Sequence, residues 1–137
     1  MAKIKSRDTT PEVWFRKLLF AKGYRYRTNF RPVPGNPDMF LAKYNTAIFV
    51  NGCFWHRHEG CRYSYSPKSR IEFWTQKFQK NIERDIRVKN LLSEQGIKCL
   101  IVWECTIKAM RKSSDMKDNI LQRVEDFLHS NNMRLEV

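Results

Sequence analysis

Apolar residues crowd into VWFRKLLFAK, residues 13–22, between a capping segment and a glycine. Thr9 or Thr10 can cap a helix, Pro11 is tolerated in its first turn and Glu12 suits its positive end. The spacing predicts a helix that stops at Gly23. YRYRT, residues 24–28, alternates apolar and charged positions like a half-buried strand. FRPVPGNP, residues 30–37, holds three prolines and a glycine and can be neither helix nor central strand. Residues 38–41 and 46–50 are then short strands joined by a turn at Tyr44-Asn45.

Further on, Ser69 and Glu72 have capping-box spacing. Ile71, Trp74, Phe78, Ile82 and Ile86 recur at helical intervals as a core stripe, and Gly96 closes a helix of about 25 residues. KCLIVWE, residues 98–104, is almost continuously apolar and reads as a buried strand. A last amphipathic helix covers residues 115–129. Helix, three strands, helix, strand, helix is the order of an α/β domain with a mixed central sheet flanked by helices. The 137 residues suffice for one such domain, 1–137, with a short arm over residues 1–8.

Charge narrows the function. Lys and Arg number 26 against 14 acids, a net charge of +12, which points to a polyanion and above all to nucleic acid. The basic residues are spread along the chain, unlike the single charged face of a membrane-binding helix. No apolar run is long enough to span a bilayer, and MAKIKSRDTTPE lacks the apolar region of a signal peptide. The expectation is an intracellular protein with no membrane partner.

NGCFWHRHEGC, residues 51–61, gathers two of the four cysteines and two of the three histidines. In a reducing compartment such clusters are metal ligands more often than disulfides. Cys53, His56, His58, Cys61 and Cys105 are the candidates for a closed Cys₃His zinc site, which takes four. Cys99 and Cys105 fall on one face of the strand about 20 Å apart, so only one can reach the loop. Cys105, at the strand end, is the better placed, and Cys99 reads as core. Either histidine could complete the site, and one is left over. Zinc that pins the loop also fixes Phe54, Trp55 and the spare histidine.

Asp38 follows the proline loop and precedes a strand, and Val50 lies twelve residues on. Nucleases of the PD-(D/E)-x-K type place acids and a lysine at that distance. Here only the first acid is present, with Val50 and Gly52 in place of the second acid and the lysine. Pro-Asp is also a common turn. A histidine six residues after Val50 can do the lysine's proton work, and one carboxylate with backbone and water oxygens is an ordinary Mg²⁺ site.

Pro37-Asp38, the run Phe49 through His56, Glu72-Phe73-Trp74 with Lys80-Asn81 and Arg84-Asp85, and Ile101-Val102-Trp103-Glu104-Cys105 together resemble the very short patch repair endonucleases. These bacterial enzymes nick DNA 5′ to the thymine of a T·G mismatch left by deamination of 5-methylcytosine. The resemblance implies a restriction-endonuclease-like core with a structural zinc site. It implies Mg²⁺ on Asp38 and the backbone carbonyl of Val50, where the family often has threonine. His56 would be the catalytic histidine, Glu12 would hold metal-bound water or orient His56, and Asp85 would support the histidine. Zn²⁺ would take Cys53, His58, Cys61 and Cys105. Phe54, Trp55 and Trp74 would wedge into the base stack beside the mismatch, although periodicity alone makes Trp74 core.

The implied protein is a cytoplasmic, nucleoid-associated monomer acting on mismatched double-stranded DNA, with mismatch-repair proteins as further partners. Two features depart from the family: the arm is shorter than in many members, and Glu59-Gly60 makes the zinc loop one residue longer. The rival readings are a zinc-stabilised DNA-binding module without catalysis and a same-fold nuclease of restriction or phage defence.

Overall fold

The computed structural model describes residues 9–137, so the arm at residues 1–8 lies outside the described residues. Helix α1 spans Thr10–Ala21, capped by Thr9, whose Oγ1 accepts the Glu12 N–H at 3.4 Å. Strands β1 (Met39–Leu41) and β2 (Thr46–Asn51) follow, joined through a 3-10 turn at Ala42–Tyr44 and a left-handed Asn45. Then come α2 (Ile71–Glu94), β3 (Lys98–Trp103), α3 (Glu104–Lys112), α4 (Ser114–Leu128) and β4 (Arg134–Glu136).

The sheet has the order β1-β2-β3-β4, with β1 antiparallel to β2 and the other neighbours parallel. It is the expected mixed sheet flanked by helices. Alternation along β2 and β3 divides the core in two. Ile48, Leu100 and Val102 meet Phe15 and Leu19 of α1 and the apolar faces of α3 and α4. Ala47, Cys99, Ile101 and Trp103 face the other way, onto Leu92 of α2, Val33 of the proline loop and Cys53.

Four expectations change. Residues 24–28 alternate in burial, yet only Arg27 pairs, with Phe40, through two backbone hydrogen bonds. Asn29 at φ 47 and the proline loop turn the chain away after that pair. The capping box at Ser69 does not form: the helix starts at Ile71, and its N-cap is a left-handed Arg70 without a side-chain cap. The strand after Gly96 ends at Trp103, and Glu104 opens α3, which periodicity missed because nine residues directly after a strand read as its continuation. Strand β4 was also missed, being three residues long and mostly exposed.

The stripe on α2 does not enter the core either. Ile71 and Ile86 are exposed, and the only α2 side chain buried outright is Leu92. The long helix lies on the protein by its C-terminal end, which leaves its first half to pack against the Cys/His loop.

Lys98, the buried first residue of β3, ends α4: its ammonium donates to the carbonyls of Phe127, Leu128 and Ser130. A cation there offsets the negative end of the helix dipole. No helix among the described residues is long and apolar enough to cross a membrane.

Candidate active site and metal centre

Because β1 runs against β2, the start of β1 lies beside the ends of β2 and β3. Ligand sites in α/β sheets favour the carboxyl ends of parallel strands. Asp38 stands there, and its Oδ2 accepts the Val50 N–H at 2.6 Å. In an extended strand the N–H and C=O of one residue point to the same side. The Val50 carbonyl therefore faces the same gap beyond the end of β1 that Asp38 occupies.

Glu12 enters from the first turn of α1, buried and hydrogen-bonded to the Asp38 carboxyl, with the Arg16 guanidinium 3.5 Å from its Oε2. Asp38 is raised to about 8, first by burial and then by the neighbouring Glu12 carboxyl, against the pull of the Val50 N–H. Two carboxyls this close share a proton unless a cation balances them. Asp38, Glu12 and a backbone carbonyl are an all-oxygen donor set of the kind that suits Mg²⁺.

Asp38, Val50 and His56 line both of two adjoining clefts, of about 520 and 600 Å³. The first also takes in Glu12, Trp55, Lys77 and Glu104, and the second reaches Asn36, Asp85 and Lys89. His56 Nδ1 lies 2.7 Å from Asp85 Oδ2. The carboxylate accepts, so Nδ1 carries the proton and Nε2 is left as the basic nitrogen.

The other histidine turns away. The ligating atoms of Cys53, His58, Cys61 and Cys105 all lie within 4.8 Å of one another. A tetrahedral zinc with bonds of about 2.3 Å to sulfur holds its sulfurs roughly 3.8 Å apart, so the donor set and its span fit such an ion. His58 stacks on Trp103 with ring centroids 4.0 Å apart, and its Nδ1 lies 3.4 Å from Cys105 Sγ. Cys105 sits in the first turn of α3 rather than on the strand, and its N–H donates to Cys53 Sγ. Cys99 is buried away from the cluster, in the core beneath α2. Glu59-Gly60 lies in a turn: Gly60 takes φ +71 and the Cys61 N–H donates to the His58 carbonyl at 3.3 Å.

Phe54, Trp55 and Trp74 come together outside both cores. Their ring centroids are 5.3 Å apart for Phe54–Trp55, 5.4 Å for Phe54–Trp74 and 5.5 Å for Trp55–Trp74. Phe78 joins them, 5.2 Å from Phe54 and 5.7 Å from Trp74. Periodicity puts Phe78 in the core, and Asn81, until here only part of the motif, donates from Nδ2 to the Trp55 carbonyl at 3.1 Å. Trp74, Phe78, Asn81 and Asp85 lie at i, i+4, i+7 and i+11, one face of α2. That spacing was the signal, hidden because half the face is polar.

The family described as DNA mismatch endonuclease Vsr matches residues 1–62. The Type II nicking enzyme V.NmeAIP of Neisseria meningitidis is 41% identical over 126 residues, 92% of this chain and 89% of the relative. The DNA mismatch endonuclease Vsr of Escherichia coli K12 is 38% identical over 128 residues, 93% and 80% of the two chains. The Type II nicking enzyme V.XorIIP of Xanthomonas oryzae is 37% identical over 121 residues, 88% of each.

Proposed function

The chain belongs to the DNA mismatch endonuclease Vsr family and is a DNA endonuclease of restriction-endonuclease-like fold, and from that premise we propose that it is a Mg²⁺-dependent enzyme nicking double-stranded DNA 5′ to the thymine of a T·G mismatch. The observation that carries the reading is the shared cleft: a buried carboxyl pair, a strand carbonyl and an oriented histidine open beside an aromatic cluster.

Duplex is gripped through lysine and arginine contacts to phosphates, which carry affinity without sequence information. Phe54, Trp55 and Trp74 enter the stack at the weak step, where unstacking costs least. A Mg²⁺ ion held by Asp38 and the Val50 carbonyl would supply positive charge to the scissile phosphate and leaving oxygen. Glu12 holds Asp38 and hydration water in place. His56 Nε2 takes the proton of the attacking water, and Asp85 steadies the imidazolium that results. Cys53, His58, Cys61 and Cys105 would hold Zn²⁺, which would pin the loop that carries both His56 and the wedge.

The reading is tested by incubating the protein with T·G-mismatched and fully paired duplexes of varied flanking sequence, with and without Mg²⁺, and mapping strand breaks. The expected result is a single nick 5′ to the mismatched thymine that needs Mg²⁺. Binding without cleavage would leave only a DNA-binding module, and equal cutting of paired duplex would favour restriction.

A further inference from the structure

Arg57 lies between the two histidines of the loop, and neither the metal cluster nor the cleft chemistry uses it. Its backbone is left-handed at φ 52, a conformation that a long side chain rarely adopts. The turn sends the guanidinium back across the loop. One nitrogen donates to the carbonyls of Phe54 at 3.4 Å and Tyr65 at 3.0 Å, and another donates to that of Ser64 at 3.2 Å. The same cation covers the Phe78 ring, 4.0 Å from its centroid, and lies 5.6 Å from that of Phe54.

A single planar group thus ties the entry of the loop to its exit and packs on two rings of the aromatic cluster. Only a guanidinium joins a rigid fork of donors to a flat face that stacks on an aromatic ring. We propose that Arg57 is the positioning residue of the wedge: it holds Phe54 and Phe78, and through them Trp55 and Trp74, in the arrangement that enters the mismatched step. The inference rests on the wedge reading above. Rings ordered before DNA arrives need not be ordered at the moment of insertion, so the gain falls on the step that distinguishes mismatched from paired duplex.

The backbone provides a clean probe. Arg57→Gly removes the side chain while glycine keeps the left-handed turn without strain. Arg57→Lys keeps the charge but not the fork. Trp55→Ala, assayed in parallel, tests the wedge itself. The measurements are metal content, quenching of tryptophan fluorescence by acrylamide, and kcat/KM on T·G-mismatched against paired duplex over a range of salt. Arg57→Gly is expected to keep its metal, its affinity for paired duplex and its salt slope. It should lose on the order of ten- to a hundredfold in discrimination, with more accessible tryptophans. Arg57→Lys should recover part of the ratio.

If Arg57→Gly keeps the wild-type ratio while Trp55→Ala loses it, the wedge stands and Arg57 does not position it. A uniform loss on both duplexes, with the salt slope reduced by about one, makes Arg57 a phosphate contact instead. Loss of metal from Arg57→Gly, or a full wild-type ratio in Arg57→Lys, overturns the proposal as well. An unchanged ratio in Trp55→Ala removes the wedge reading and the role of Arg57 with it.

Discussion

His56 Nδ1 lies 2.7 Å from Asp85 Oδ2, joining the Cys/His loop to the middle of α2. One turn earlier on the same helix Asn81 holds the carbonyl of Trp55, the residue before His56. Neighbouring residues of the loop are thus anchored one helical turn apart, which leaves the imidazole little freedom. Asp85→Ala is expected to lower single-turnover nicking by about one to two orders of magnitude, the usual cost of losing an orienting carboxylate, with metal content and melting temperature unchanged. A wild-type rate would show that His56 is oriented without it.

The two histidines of the loop should fail differently. His56→Ala is expected to keep its metal and melting temperature and lose roughly two to four orders of magnitude in nicking rate. His58→Ala removes a ligand and the ring stacked on Trp103. It should lose metal and melt earlier, because the binding energy of a structural metal is folding energy. Metal analysis and thermal melts of both variants decide it, and the opposite pattern reverses the assignment.

Asp38 ties stability to pH. Its folded-state carboxyl is raised from the ordinary 3.8 to about 8, first by burial. Between those values the folded protein holds a proton that the unfolded chain releases. The contribution is therefore complete below about pH 4 and is lost as pH rises through 8. In Mg²⁺-free buffer without chelator, the melting temperature of wild type relative to Asp38→Asn should fall from pH 5 to pH 8. Added Mg²⁺ should restore it at pH 8, since a cation favours the ionised pair. A difference flat in pH would contradict the buried carboxyl pair.

Asp38→Ala should abolish nicking while leaving duplex affinity within about 1 kcal/mol, because the carboxyl serves the metal more than the grip. Gel-shift and nicking assays on one preparation separate the two effects. Nicking at the wild-type rate would remove Asp38 from the reaction.

Trp55→Ala should lower the preference for mismatched over paired duplex more than it lowers general affinity. Affinity itself should fall steeply with salt for wild type and variant alike, as expected of a chain with net charge +12. Titrations of both duplexes at several salt concentrations supply both quantities, and an unchanged preference would make Trp55 a packing residue.

Much of the architecture was legible locally. Thr9 and Pro11 start α1 because caps and first-turn prolines act over a few residues, and β3 is buried because an apolar run has nowhere else to go. The cysteines and histidines announced a metal by type and spacing, and motif resemblance named the four residues that the fold brings within 4.8 Å. What stayed hidden depends on approach between distant segments. Spacing left His56 and His58 equivalent, and only the approach of Asp85 to one and of Trp103 and Cys105 to the other separates them. Capping rules made Glu12 an N-terminal helix acid and resemblance gave it metal-bound water or His56, but only the fold sets it buried against the Asp38 carboxyl. Helical periodicity assigned Trp74 and Phe78 to the core because it reports which residues share a face and not what covers that face. On α2 the cover is the Cys/His loop, so a stripe that reads as core became an aromatic cluster beside the cleft.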